Sequence, residues 1–234
     1  MASQAPLSAD AAVPSAEAEA DTDSLRITEI FLSIQGESST VGWPTVFVRT
    51  TGCPLRCQYC DTAYAFSGGE RLSLEAILAR VQEYGMRHVT VTGGEPLAQA
   101  ATLKLMTCLC DAGFAVSLET SGALSVARVD PRVMQVVDIK TPGSREATRN
   151  LWSNLAHLRA GDQLKFVICD REDYEWSRAR VAEMALPNTI EILFSPSHDS
   201  LPGRTLAEWI LADRLPVRMQ IQLHKVLWGN EPGR

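Results

Sequence analysis

The chain has 234 residues, 45% hydrophobic and 21% charged, enough for one domain with a large core and too little for two generous ones. It holds no run of 18 apolar residues and does not open on a basic segment followed by an apolar stretch, so neither a membrane span nor an export signal is expected and a reducing cytoplasm fits. Of the net charge of −6, five units sit in residues 1–24, which hold Asp10, Glu17, Glu19, Asp21 and Asp23 but no Lys, Arg or aromatic. That segment is expected to be a disordered acidic tail and residues 25–234 a single, nearly neutral domain without the basic stripe that direct nucleic-acid binding needs.

From Leu25 onward, strand and helix patterns alternate. Residues 25–34 and 45–50 read as strands joined by a turn region with Gly36, Gly42 and Pro44. Ser73 caps a helix over 74–84, with Leu74, Ile77, Leu78 and Val81 on one face and Gly85 ending it. A strand at 88–92, a helix over 97–112 and strands at 114–119 and 135–140 follow. A helical patch over 147–158, a strand at 163–168 and a helix over 171–186 come next. A strand at 189–194, a helix over 205–215 and a strand at 218–223 complete the series. Repeated strand–helix units predict a parallel sheet with helices outside it. Six or seven strands fit this length, short of the eight that close a full barrel at ~250 residues. The expected fold is therefore α/β: a partial, open (β/α) barrel of about six parallel strands with an N-terminal strand extension.

In such folds the active site is built at the C-terminal ends of the strands. After residues 45–50 come Cys53, Cys57 and Cys60, spaced C-x3-C-x2-C. Three thiolates on one short loop, with no fourth, suit an iron–sulfur cluster with one open iron. A structural zinc site competes, but it closes with four ligands, usually in pairs. A disulfide scaffold also competes, although 6 cysteines in this length without an export signal fit one poorly. Cys108, Cys110 and Cys169 read as buried small hydrophobes.

The other strand ends carry Gly93-Gly94-Glu95-Pro96, Glu119-Thr120-Ser121-Gly122, Asp138-Ile139-Lys140, Ser195-Pro196-Ser197-His198 and His224-Lys225. Each has a bland reading as turn, solvated strand end or core histidine. Their collection on one mouth does not. Arg49, after Val46, Phe47 and Val48, needs a partner: a substrate carboxylate or an internal acid.

The cysteine loop with Gly93-Gly94-Glu95-Pro96 resembles the radical S-adenosylmethionine (SAM) superfamily. Within it, Ser33-Ile34-Gln35-Gly36-Glu37, Cys60-Asp61-Thr62 and Gln222-Leu223-His224-Lys225 are similar to the 7-carboxy-7-deazaguanine synthase family. The resemblance runs from about Leu25 onward. It implies ring contraction of 6-carboxy-5,6,7,8-tetrahydropterin to 7-carboxy-7-deazaguanine and ammonia, on the route to queuosine. It implies a 4Fe–4S cluster on Cys53, Cys57 and Cys60 that binds SAM. It also implies SAM contacts from Tyr59, Asp61, Gly94, Asp138, Ile139, Lys140, Ser195, Pro196, Ser197 and His198, although family members usually read Gln-Pro where this chain has Ser195-Pro196. Substrate contacts would come from Ile34, Gln35, Gly36, Arg49 and Thr92, a Mg2+ ligand from Thr62, and proton handling from Glu119 and His224. A one-electron donor such as flavodoxin and a homodimer are further expectations. Glycyl-radical activases share the cysteine spacing, and a zinc-stabilised binding module is the reading from another class.

Overall fold

Strands β1 (Ser24–Ile34) and β2 (Pro44–Thr50) form an antiparallel hairpin in the computed structural model, and β3 (Glu70–Ser73) pairs along the outer side of β1. The structure describes residues 23–233 apart from 185, 199, 230 and 232. The expected tail falls almost wholly outside the described residues, and its boundary shifts because Ser24 already belongs to β1. From β2 a parallel series continues through β4 (His88–Gly93), β5 (Ala115–Thr120), β6 (Met134–Ile139), β7 (Gln163–Ile168), β8 (Glu191–Pro196) and a two-residue β9 (Arg218–Met219). The nine-stranded order is β3-β1-β2-β4-β5-β6-β7-β8-β9, so the barrel stays open, with the two antiparallel strands as its extension.

Alternation along the parallel strands separates two environments. Val89, Val91, Val116, Leu118, Val137, Ile139, Leu164, Phe166 and Ile168 enter the hydrophobic core. That core is completed by Ile77 and Val81 of α1 (Leu74–Glu83), Leu105 and Leu109 of α2 (Ala101–Asp111), Tyr174 of α3 (Arg171–Met184) and Leu206 of α4 (Gly203–Asp213). The intervening positions, Thr92, Glu119, Asp138, Lys165 and Val167, face the concave side. Ser73 caps α1 as its sequence predicts, its hydroxyl accepting the Ala76 N–H at 3.2 Å. Among the described residues no helix is long and apolar enough to cross a membrane.

Three expectations fail locally. The helix over 147–158 is replaced by the short 3-10 turns Ala147–Arg149 and Trp152–His157. Two asparagines explain it, because their side chains serve other backbone groups instead of tolerating a helix. Asn150 bonds both the N–H and the carbonyl of Lys140, at 2.8 and 2.9 Å. Asn154 accepts from Val126 and donates to the Gly122 and Leu124 carbonyls. The helix expected over 97–112 begins at Ala101, after a separate 3-10 turn, Pro96–Ala98. The last strand stops at Met219, and Leu223–Trp228 forms a short helix, α5.

The loop between β1 and β2 crosses the open side of the sheet. Ser38 donates its N–H to Gln220 Oε1 (2.9 Å), and Gly36 accepts the Leu223 N–H (3.1 Å). Ser38 is fully buried with φ 66°, a left-handed conformation held by these surroundings.

Candidate active site

The loop after β2 carries the three cysteines and is fastened on every side. The Gly52 N–H donates to the Ala65 carbonyl (2.7 Å), and the Gly52 carbonyl accepts the Glu95 N–H (2.8 Å). Arg56 donates to the Cys53 and Leu55 carbonyls at 2.7 Å each and lies 4.2 Å above the Phe66 ring. Its own N–H reaches Glu146 (2.6 Å), and Gln58 reaches the Ser144 carbonyl (3.1 Å). The thiols of Cys53, Cys57 and Cys60 are free and half-buried, and all three line one cavity of about 870 Å³. Burial pushes each of them up, Cys57 to about 11, against the pull of the Lys140 ammonium. Such thiols become thiolates when a metal takes the proton's place.

The donor set fits an iron–sulfur cluster with SAM beside it. Three soft sulfurs come from one loop, each able to take its own iron. In the adjoining wall the Tyr59 hydroxyl and Asp138 Oδ1 are buried without a partner, which a polar ligand would correct. Gly94 permits the whole arrangement: a Cβ there would lie 2.3 Å from the Gly52 carbonyl and 2.9 Å from Cys53 Cβ.

The opposite half of the cavity is polar and charged. Glu119 at the end of β5 accepts from Gln35 Nε2 and Thr92 Oγ1, both at 3.2 Å. Arg49 resolves its expected problem internally: its Nε lies 2.6 Å from Glu29, and its guanidinium spreads over Phe31 and Tyr64. Glu37 lies 2.5 Å from Lys165 Nζ and accepts from Gln222 Nε2 at 2.9 Å. Burial would raise the Glu37 carboxyl, but Lys165 and Gln222 outweigh it and hold it down at about 2. Burial lowers His224, keeping its imidazole neutral at neutral pH. Burial also works against the Lys140 ammonium, yet Asp138 at 2.7 Å overrides it and keeps Lys140 above its ordinary range.

Most of the residues expected at the mouth line this cavity: Ile34, Gln35, Gly36, Arg49, Tyr59, Asp61, Thr62, Thr92, Gly94, Glu119, Asp138, Lys140, Ser197, His198 and His224. Three do not. Ile139 alternates away from Asp138 and joins the core, and Ser195 and Pro196 belong to β8 rather than to the loop after it. His224 stands on α5 instead of a strand end. Glu37 and Gln222 stand in the motifs read from the sequence but were given no role in the site, and Lys165 escaped the sequence reading altogether. Strand parity was the available signal, since Lys165 alternates with Leu164 and Phe166 and pairs in register with Asp138.

Two outcomes follow from this geometry. A Cβ on Gly36 would sit 2.3 Å from His224 Nδ1. Gly36→Ala is expected to leave a folded, iron-binding protein whose kcat falls on the order of 10²-fold. Because the same Cβ would also lie 2.9 Å from the His224 backbone nitrogen, adding Gly36→Ala to His224→Ala should cost less than Gly36→Ala alone without being free; fully additive losses in steady-state kinetics would disprove the shared cause. The second concerns acid. Glu37 titrates lower in the folded protein than in the unfolded chain, from 4.5 to about 2, so its contribution is full above about pH 4.5 and lost as pH falls towards 2. Denaturant melts of Glu37→Gln should show a shallower loss of stability over that window than the wild type.

A model of the radical SAM superfamily matches residues 47–135. The 7-carboxy-7-deazaguanine synthase of Chlorobaculum tepidum is 46% identical over 208 residues, covering 88% of this chain and 94% of the relative. That of Koribacter versatilis is 41% identical over 222 residues, covering 88% and 98%. The crystal structure of QueE from Escherichia coli superposes with a TM-score of 0.73 at 27% identity, over 86% of this chain and 95% of that one. With its three-thiol loop facing a charged chamber across an open β/α barrel, the chain belongs to the 7-carboxy-7-deazaguanine synthase family of radical SAM enzymes.

Proposed function

We propose that the protein contracts 6-carboxy-5,6,7,8-tetrahydropterin to 7-carboxy-7-deazaguanine with release of ammonia, as a carbon–nitrogen lyase of queuosine and 7-deazapurine synthesis. One observation carries the reading: the cysteine loop and the Gln35–Arg49–Thr92–Glu119 set share a single chamber. When bound, the 4Fe–4S cluster and SAM supply a hydrogen-abstracting radical. Cys53, Cys57 and Cys60 hold the cluster. Tyr59, Asp61, Gly94, Asp138, Lys140, Ser197 and His198 form the SAM wall. Ile34, Gln35, Gly36 and Thr92 seat the pterin ring, and the guanidinium edge of Arg49 not taken by Glu29 receives its carboxylate. Glu119 and His224 move protons at the ring.

Thr62, whose hydroxyl donates to Asp61 Oδ1 at 2.8 Å, is the Mg2+ ligand, and an ion there takes its other oxygens from substrate and water. A flavodoxin-like electron donor, a homodimer and a cytoplasmic location complete the proposal. The test is anaerobic incubation of reduced, cluster-loaded protein with SAM, Mg2+ and the tetrahydropterin. Mass spectrometry should find 7-carboxy-7-deazaguanine and stoichiometric ammonia, and SAM consumption without a deazaguanine product would refute the assignment.

A further inference from the structure

Of the described residues that line the chamber, three carboxyl groups, on Glu37, Glu119 and Asp138, and two ammonium groups paired with them, on Lys140 and Lys165, lie largely buried, while Asp61, Asp170 and Glu231 stand at its exposed rim. The contacts say which carboxyl is left over. Lys140 stands 2.7 Å from Asp138, and Lys165 stands 2.5 Å from Glu37 and 3.9 Å from Asp138. Among the described residues, Glu119 receives only the neutral amide of Gln35 and the neutral hydroxyl of Thr92 as hydrogen-bond donors. The cation nearest from β2, Arg49, is engaged by Glu29. From α5, His224 faces the same space as a neutral imidazole, and Lys225 lies 3.5 Å from Asp61 on the cofactor side. With all five groups charged, the enclosure would carry one uncompensated negative charge, which a poorly hydrated site resists.

We propose that Glu119 keeps its proton at neutral pH, and that Lys165 is the positioning residue that assigns the proton there by holding Glu37 ionised. Burial and then the Glu37 charge push the Glu119 carboxyl upward, outweighing the pull of Lys165, Arg49 and the Gln35 hydrogen bond, in the same direction as the pairing. Glu119 is then a neutral acid facing a chamber built for a ring rich in nitrogen acceptors, able to donate where a carboxylate could only accept. That use rests on the chamber being the pterin site; the protonation does not.

Infrared difference spectra of the cluster-loaded protein without substrate test it. At neutral pH the wild type should show a protonated-carboxyl C=O band that Glu119→Gln removes and that Glu37→Gln, which leaves two carboxyls for two ammonium groups, weakens or removes as well. Lys165→Gln should add a second such band, abolished when Glu37→Gln is combined with it, whereas Lys165→Arg should return the single band. A band insensitive to Glu119→Gln, or an unchanged spectrum in Lys165→Gln, overturns the proposal. Melting temperature guards against misfolding. Glu119→Gln replaces one neutral group by another and should melt close to the wild type between pH 6 and 8, and a variant that fails to fold would show that the carboxyl was charged. If the spectra hold but no deazaguanine forms, the proton assignment stands and the substrate reading falls.

Discussion

Cys57→Ala protein is expected to leave anaerobic purification colourless, without iron or sulfide and without turnover, while remaining folded. The side chain is half-buried, no hydrogen bond to its thiol contributes to the loop, and its surroundings are fastened by Arg56 and Gln58 backbone and side-chain contacts that do not involve sulfur. Removing the sulfur therefore costs little stability, about 0.5 kcal/mol as for other substitutions outside the core. What it removes is one of three donors, and two thiolates from a loop do not retain a cluster. Cys169→Ala is the informative control. Cys169 lines the same chamber, but it follows β7 and its backbone N–H is bonded to Asp173 (3.0 Å) whatever its side chain. It should keep its iron. Metal and sulfide analysis decides: full iron in Cys57→Ala, or stoichiometric zinc in the wild type, would refute the cluster.

Glu95→Ala should be the most damaging change to stability. Its carboxylate is fully buried and joins two strand ends, accepting the N–H groups of Leu97 (2.9 Å) and Ser121 (2.7 Å) together with the hydroxyls of Thr120 and Ser121. Truncation strands these donors inside the protein, a loss of about 3 to 5 kcal/mol, which lowers Tm by roughly 10 °C in a chain of this size. Because the Glu95 N–H also holds the Gly52 carbonyl, the damage should spread to Cys53 and reduce iron content. Thermal melts and iron assay check both. A Tm within about 2 °C of the wild type would mean that the donors find other partners.

The parallel sheet and the cysteine loop were legible in the sequence because each writes a local pattern: buried β-branched runs, and thiols at fixed spacing. The strand ends then placed Gly94, Glu119 and Asp138 on one face without any knowledge of contacts. What was illegible depended on distant partners. Arg49 read equally well as a substrate anchor or an ion-paired residue, and only the fold brings Glu29 to it. Lys165 drew no reading of its own, because its partner Glu37 lies 128 positions away and only the fold brings it across. The β3 strand, Glu70–Ser73, is too short and polar to register, and it exists because β1 offers it an edge. Asn150 and Asn154 broke a plausible helical spacing through bonds to segments 10 to 32 positions away.

The β1–β2 loop lies across the mouth of an open sheet, and the residues it grips come from much later in the chain: Lys165 at 128 positions' separation, Gln220 at 182 and Gln222 at 185. The cysteine loop, by contrast, leans on Ala65, Glu95, Ser144 and Glu146. The anchoring of the cysteine loop and the seating of the β1–β2 loop thus draw on different stretches of one polypeptide. Damage beyond β8 that spares the first six strands would produce a protein that still turns brown with iron but has lost the floor on which the pterin rests.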